Sequence, residues 1–478
     1  MTMSDDVALL DDLRAVLGAS GVLAEPTTLA LYGRDASIVT AGEAAAVCFP
    51  TNTQQVQACV RIARRHSRPF VARGSGTGLS GGAVPVGRAV VIATMRMNGI
   101  LEVDVDQRVA WVEPGVLNLD LSRAVAAHSL HFAPDPSSQQ ACSIGGNVAN
   151  NSGGPHCLAY GVTNAHVLAL EVVLPDGEIA MLGGLDPEPD GYDLRGVFVG
   201  SEGTAGIATR IAVRLTPNPP EVRTLLLDFA SVDAAAASVS AIIGAGLVPC
   251  ALEMLTGGMI AAVEDYVHAG LPVDAAAVLL VEIDGLEAAV ADAVALVERV
   301  GTEHGARAVR VAADEVQRAL WWKARKSAFG AVARIAPNYY LHDTVVPRTK
   351  LVDVLREVEA AAGRHGLTVL NVFHAGDGNL HPLLLFDARE PGALERVHAA
   401  GDEIITISLA AGGVLSGEHG IGLEKREHMA ALFSVDDLDA QARLRDAFDP
   451  DGVANPHKVL PAGSRCGDLQ RIPEGTWV

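Results

Sequence analysis

Arg73-Gly74-Ser75-Gly76-Thr77-Gly78-Leu79-Ser80-Gly81-Gly82 is the stretch whose reading decides the fold. Gly76, Gly78 and Gly81 satisfy G-x-G-x-x-G, and residues 69–72 before them read as a strand, so the pattern alone matches a nicotinamide dinucleotide turn. The context excludes it. Such a turn opens a helix whose N-terminus faces the pyrophosphate, whereas here Gly81-Gly82-Ala83-Val84-Pro85-Val86-Gly87 breaks any helix and leads into a second strand over residues 89–93. The glycines still let successive backbone N–H groups approach a diphosphate, and Ser75, Thr77 and Ser80 add hydroxyl donors. A diphosphate cradle on a non-Rossmann fold is the expectation.

Composition narrows the rest. A chain of 478 residues, 49% of them hydrophobic, is long enough for two or three domains with large cores. Its 36 basic against 57 acidic residues give a net charge of -21, which argues against nucleic acid or an anionic membrane as the main partner. The six cysteines (Cys48, Cys59, Cys142, Cys157, Cys250 and Cys466) contain no C-x-x-C, so neither a disulfide framework nor an iron–sulfur cluster fits, and a reducing cytoplasm is the default. Asp5, Asp6, Asp11 and Asp12 interrupt the start where a signal peptide needs a basic and then an apolar segment. The uncharged run 234–252 is the best candidate for a membrane span, but with its Ala, Ser and Gly content and Pro249 it reads as a buried helix followed by a strand.

Periodicity predicts a helix over residues 5–17, then strand, helix, strand, glycine loop and strand over residues 46–93. Val56, Cys59, Val60 and Ala63 form the buried face of the helix, which is capped near Thr53. Strands follow at residues 109–112, 168–174 and 207–215, punctuated by two more polar glycine loops. One loop runs from Ser143-Ile144-Gly145-Gly146-Asn147 to Asn150-Asn151-Ser152-Gly153-Gly154; the other is Gly200-Ser201-Glu202-Gly203-Thr204-Ala205-Gly206. Pro217-Asn218-Pro219-Pro220 marks a boundary. Beyond it, strand 223–229, helix 232–244, strands 251–255 and 277–283, helix 286–304 and strand 307–311 suggest a ferredoxin-like half. The expected class is α+β, with domains over residues 1–219, 220–425 and 426–478.

A second segment carries chemistry: Phe373-His374-Ala375-Gly376-Asp377-Gly378-Asn379-Leu380-His381. With Asp377-Gly378 at the centre of a type I′ turn, a hairpin puts Gly376 opposite Asn379 and His374 opposite His381. Cross-strand Cβ atoms are then roughly 4.5 to 5.5 Å apart, close enough for both imidazoles to reach one metal ion. In Ser416-Gly417-Glu418-His419-Gly420, glycines let Glu418 converge as an oxygen ligand and leave His419 as a base. Two histidines and a carboxylate leave coordination positions open, which suits a catalytic Zn or Mn ion. Arg325, beside Trp321 and Trp322, could take a carboxylate bidentately, although the residues alone favour a solvated helix face. A metal-dependent hydrolase could use the same ligands, but it leaves three glycine loops unexplained.

Together with Phe448-Asp449-Pro450 and Asn455-Pro456-His457-Lys458, these segments resemble the FAD-linked 2-hydroxyacid dehydrogenases of the vanillyl-alcohol oxidase superfamily. Arg325-Lys326-Ser327-Ala328-Phe329, Tyr339-Tyr340, Asp343 and His381-Pro382-Leu383 point to the glycolate oxidase and D-lactate dehydrogenase branch. The resemblance implies a two-part FAD-binding domain of the vanillyl-alcohol oxidase (PCMH) type, an α+β cap domain with a ferredoxin-like antiparallel sheet, and a C-terminal segment returning to the flavin domain. It implies that FAD is bound by Pro50, Arg73, Gly74, Ser75, Gly76, Thr77, Gly78, Ser80, Gly81, Pro134, Asp135, Ser143, Gly145, Gly146, Asn147, Asn150, Gly153, Gly154, Glu202, Gly203, Gly206, Ile207 and Asn455. The first glycine loop has Thr77 and no histidine or cysteine, so a non-covalent flavin is expected. Where relatives acting on D-2-hydroxyglutarate carry polar and cationic groups, this chain has Phe329 and Leu341, which favours a small monocarboxylate such as glycolate or D-lactate. The implied chemistry is oxidation of that 2-hydroxy acid, with catalytic His419 and Arg325 and a metal on His374, His381 and Glu418. Electrons would pass to an iron–sulfur or flavin partner subunit, or a quinone-linked acceptor, with no transmembrane segment in this chain. Such a partner could hold a cytoplasmic protein at the inner face of a membrane. A non-catalytic flavoprotein subunit is the remaining reading, and the intact His374, His381, Glu418 and His419 set argues against it.

Overall fold

A computed structural model describes residues 3–37, 41–186 and 191–462; Cys466 and the rest of the tail lie outside them. The chain divides into two compact units. One combines Met1–Ser152, Val162–Pro217 and Glu418–Val478, and the other combines Gly153–Gly161 with Asn218–Gly417.

In the first unit, Ala44–Cys48, Ala89–Ala93 and Phe70–Arg73 pair in parallel, with Val22–Leu23 as an antiparallel edge. Every residue of Ala89–Ala93 is buried, as in parallel strands covered on both faces. Helix Thr53–Arg65 starts at Asn52, whose side chain accepts the Gln55 N–H, and buries Val56, Cys59, Val60 and Ala63 as its spacing requires. Residues 74–88 cross between two parallel strands through turns and bends without a helix. Ile100–Asp104, Val109–Val112, Ile207–Arg214, Val167–Val173 and Ile179–Gly183 form a second, antiparallel sheet in that order.

The reading of residues 143–154 as a loop is corrected. Ser143 caps a short helix, Ile144–Asn150, by accepting the Gly146 N–H, and Asn151 ends it in the left-handed region at φ 51°. Gly145 and Gly146 make that turn intrinsically weak, yet Ile144 and Val148 are fully buried. A Cβ at Gly145 would lie 2.6 Å from Pro114, so packing overrides propensity there.

In the second unit, Glu221–Phe229, Val232–Gly244, Ala251–Thr256, Ala277–Gly285, Glu287–Glu303 and Ala306–Val311 follow one another. The strand order is Ala306–Val311, Glu221–Phe229, Ala277–Gly285, Ala251–Thr256, all antiparallel, which is the ferredoxin-like arrangement. Helix Gly257–Val267, hidden in the sequence behind Gly257-Gly258, intervenes between two of these strands. Thr368–His374 extends the sheet beside Ala251–Thr256, followed by Asn379–Leu380 and Thr344–Val345. The uncharged run 234–252 is the end of helix Val232–Gly244 and the start of strand Ala251–Thr256. No helix among the described residues is long and apolar enough to cross a membrane.

One helix, Glu315–Lys326, clamps two buried carboxylates of this sheet. Its Arg318, Trp322 and Arg325 are spaced i, i+4, i+7 and so share a face. Glu282 receives Arg318 Nε at 2.9 Å, Trp322 Nε1 at 2.5 Å and the Thr224 hydroxyl, with His156 Nε2 3.2 Å away. Burial alone would raise its pKa, but the bonds to His156 and Arg318 prevail and hold it at about 2. His156 on Glu282 and Tyr160 on Asp284 tie Gly153–Gly161 to this unit. Because the folded pKa lies below the ordinary 4.5, Glu282 contributes stability above pH 4.5 that is lost as pH falls through about 2. The shift corresponds to about 3 kcal/mol. Glu282→Gln is therefore expected to melt well below the wild type at pH 7, with the gap narrowing toward pH 3 in calorimetric scans.

Candidate functional site

The first unit holds a cradle of glycine-rich segments. Among the described residues, no acceptor of the chain meets the backbone N–H groups of Ser75, Gly76, Thr77 and Gly78, which is the donor set a diphosphate takes. Gly76 has φ +74°, and a Cβ there would lie 2.1 Å from Arg73 Nη2. The Arg73 guanidinium itself donates to the Arg34 carbonyl at 2.7 Å and stacks over Tyr32. A Cβ at Gly74 would meet Ser143 Oγ at 2.2 Å, so the first loop and the capped helix abut. Within that helix Asn147 accepts from Asn118, which also donates to the Pro134 carbonyl. Pro50, Pro134 and Ile207 are buried and Asp135 is half-buried, and Gly153 and Gly154 fall in the second unit.

The segment after Glu418 is fastened to this cradle. The His419 carbonyl accepts Ser80 Oγ at 2.9 Å and Asn150 Nδ2 at 3.1 Å, and Glu202 takes the Ile421 and Gly422 N–H groups, each at 2.7 Å. Asn455 donates to the carbonyls of Gly82 and Glu202, and buried Lys458 to that of Val84. Burial raises Glu202 to about 7 and Asp35 to about 6, and lowers Lys458 to about 7. Asp35, which accepts from Ser37 N, gave no signal in the sequence because it stands outside every motif.

The second unit gathers His374, His381, Arg325, Glu253, Asp343 and Asn379. The expected hairpin register is corrected: His374 pairs with Asn379, Asn371 with Pro382 and Thr368 with Leu385, around a loop of residues 375–378. The two-residue slip keeps the same faces together, because strand side chains alternate with period 2. The imidazoles of His374 and His381 still meet edge to face with centroids 5.0 Å apart. His381 Nδ1 lies 3.3 Å from the His342 carbonyl. Asp343, fully buried, accepts Ser416 Oγ at 2.6 Å and the Gly417 N–H at 3.1 Å, which fixes the chain immediately before Glu418.

Arg325 does not lie on a solvated face. It is 2% exposed, and its Nε donates to Glu253 at 2.6 Å. Its Nη2 comes as near the same oxygen but off the hydrogen-bond direction, and remains a buried donor without an acceptor among the described residues. Glu253 also lies 2.7 Å from His374 Nδ1. Burial would raise the Glu253 pKa, but the charges of Arg325 and His374 outweigh it and keep the carboxylate ionised. A single Glu in an apolar strand carries no motif, and only the fold reveals it.

Comparison with known proteins gives the class first. Residues 44–183 match the FAD binding domain, and residues 218–459 match the family described as FAD linked oxidases, C-terminal domain. The fold is shared with p-cresol methylhydroxylase solved with substrate bound, at a TM-score of 0.82 and 19% identity over 99% of each chain. The chain belongs to the FAD-linked oxidases and is a flavin-binding oxidoreductase. More particularly, it is 47% identical over 423 residues, 88% of its length and 85% of the relative's, to the glycolate oxidase subunit GlcD of Escherichia coli (strain K12). It is 31% identical over 418 residues, 86% of its length and 88% of the relative's, to the D-lactate dehydrogenase of Anaerostipes hadrus. The glycine cradle and its backbone donors fit the FAD diphosphate. Asn455→Ala removes both side-chain bonds that join the cradle's loops and is expected to cost about 1–3 kcal/mol. The purified variant should retain less flavin per chain by absorbance after gel filtration.

Proposed function

We propose that this protein oxidises glycolate or D-lactate to the 2-oxo acid and passes the electrons to a separate acceptor. The observation that carries the reading is the buried Arg325, which Glu253 pairs through Nε while Nη2, close to the same oxygen, makes no hydrogen bond among the described residues and leaves a donor for a substrate carboxylate. Phe329 stacks on Tyr339 and Leu341 is buried, which favours a substrate with one carboxylate over D-2-hydroxyglutarate. Bound FAD supplies the hydride acceptor, and a divalent ion, Zn or Mn, supplies a Lewis acid that lowers the hydroxyl pKa. His374, His381 and Glu418 would hold the ion; the first two already face each other, and Glu418 follows the anchored Gly417 in the chain. His419, its main chain pinned by Ser80 and Asn150, would take the hydroxyl proton. Loss of that proton and of the Cα hydride leaves the 2-oxo acid. The acceptor would be an iron–sulfur or flavin partner subunit or a quinone-linked carrier, which agrees with the subunit naming of the relative in Escherichia coli. Such a partner would hold the protein at the inner face of a membrane.

The flavin absorbance of the protein, recorded anaerobically, should bleach on adding glycolate or D-lactate. A flavin that stays oxidised with both, in protein supplied with Mn²⁺ or Zn²⁺, would reject the substrate assignment. His419→Ala should keep its FAD and bleach about 10²- to 10⁴-fold more slowly. With Thr77 where a covalent attachment would stand, acid precipitation should release all the flavin into the supernatant.

A further inference from the structure

Glu253 lies on strand Ala251–Thr256 directly across from His374 on strand Thr368–His374, and it is fully buried. Its Oε1 lies 2.7 Å from His374 Nδ1, and its Oε2 accepts Arg325 Nε at 2.6 Å. One carboxylate thus serves two side chains that come from different elements, a strand end and helix Glu315–Lys326. Taking a carboxylate out of water costs several kcal/mol, and a well-packed apolar residue would hold a sheet position as well. A purely architectural pair with Arg325 has no need of a second oxygen aimed at an imidazole.

The donor inventory makes the arrangement directional. Arginine only donates and an ionised carboxylate only accepts, so His374 presents Nδ1–H to Glu253, and the neutral ring, the form that can ligate a metal, then carries its lone pair on Nε2. The bond to Nε likewise fixes the plane of the Arg325 guanidinium and the direction of its buried Nη2. We propose that Glu253 is a positioning residue that sets the tautomer of His374 and the orientation of Arg325 together, so that one group prepares metal ligation and carboxylate binding. This rests on the reading of His374 as a metal ligand and of Arg325 as the carboxylate binder.

Glu253→Gln keeps the shape and inverts the logic. The amide oxygen must face Arg325, which offers no acceptor, so the NH₂ faces Nδ1. His374 can then only accept there, and its proton moves to Nε2, which can no longer ligate. The full-length, FAD-loaded variant, stripped with chelator and titrated with Mn²⁺ alone by electron paramagnetic resonance, is expected to bind about 10- to 100-fold more weakly than wild type. Its KM for D-lactate should rise about tenfold from the misaligned guanidinium. Unchanged Mn²⁺ affinity and KM would overturn the proposal. Should the variant fail to fold, nitrogen-15 spectra of metal-free wild type decide the matter, with His374 assigned by its loss in His374→Gln. At a pH where the ring is neutral, a protonated Nδ1 with bare Nε2 supports the role, and a protonated Nε2 with bare Nδ1 refutes it. Wild-type protein that binds neither Mn²⁺ nor Zn²⁺ would overturn the metal reading alone, because the tautomer still reports on Glu253.

Discussion

The geometry of the flavin-binding unit depends on Glu202, a buried carboxylate whose two oxygens each take one backbone N–H of the Ile421–Gly422 stretch. A glycine loop that leads into a helix is held by that helix, but residues 74–88 have none. The restraint comes instead from distant parts of the chain. Glu202 holds one side of the returning segment, Ser80 and Asn150 hold the His419 carbonyl, and Asn455 joins Gly82 to Glu202. Close approach is required throughout: a Cβ at Gly420 would lie 2.7 Å from Glu202, and one at Gly422 would lie 2.0 Å from the Ser80 carbonyl. Burial keeps Glu202 near neutrality, at about 7, with the Ile421 and Gly422 N–H groups, Lys458 and Lys425 drawing it toward the charged form.

The second unit solves a similar problem with side chains. Glu253 and Glu282 sit on neighbouring strands, and the Arg318, Trp322 and Arg325 face of one helix reaches both. Their surroundings separate their tasks. Glu282 is surrounded by donors that use both its oxygens, so it serves as a staple for Gly153–Gly161. Glu253 spends one oxygen on an arginine and turns the other to a histidine. The net charge of -21 says nothing about this interior, where paired carboxylates meet cationic partners.

Much of the architecture was legible because it follows from local rules. Ala89–Ala93 reads as an apolar run, Thr53–Arg65 as an amphipathic helix, and the strand–helix–strand pattern after Pro217-Asn218-Pro219-Pro220 as a ferredoxin-like sheet. The failures have physical causes. Gly145-Gly146 and Gly257-Gly258 conceal helix starts that tertiary packing stabilises. The hairpin at His374 closes with four loop residues rather than two, and the histidines survived that error because a slip of two residues preserves the face. Glu253 and Asp35 were invisible for a different reason: each owes its importance to groups far away in sequence.

The division into two units has a temporal consequence. The chain passes from one unit to the other at residues 152–153, 161–162, 217–218 and 417–418, so neither unit is a continuous stretch. On the ribosome, the sheets built from Ala44–Cys48 to Ile207–Arg214 emerge before the Asn218–Gly417 segment, whereas Ile421, Gly422, Asn455 and Lys458, which lock their loops, follow it. The flavin cradle must therefore wait, half-assembled, through synthesis of the entire Asn218–Gly417 segment. A chain cut short before those residues would lack every one of these fastenings.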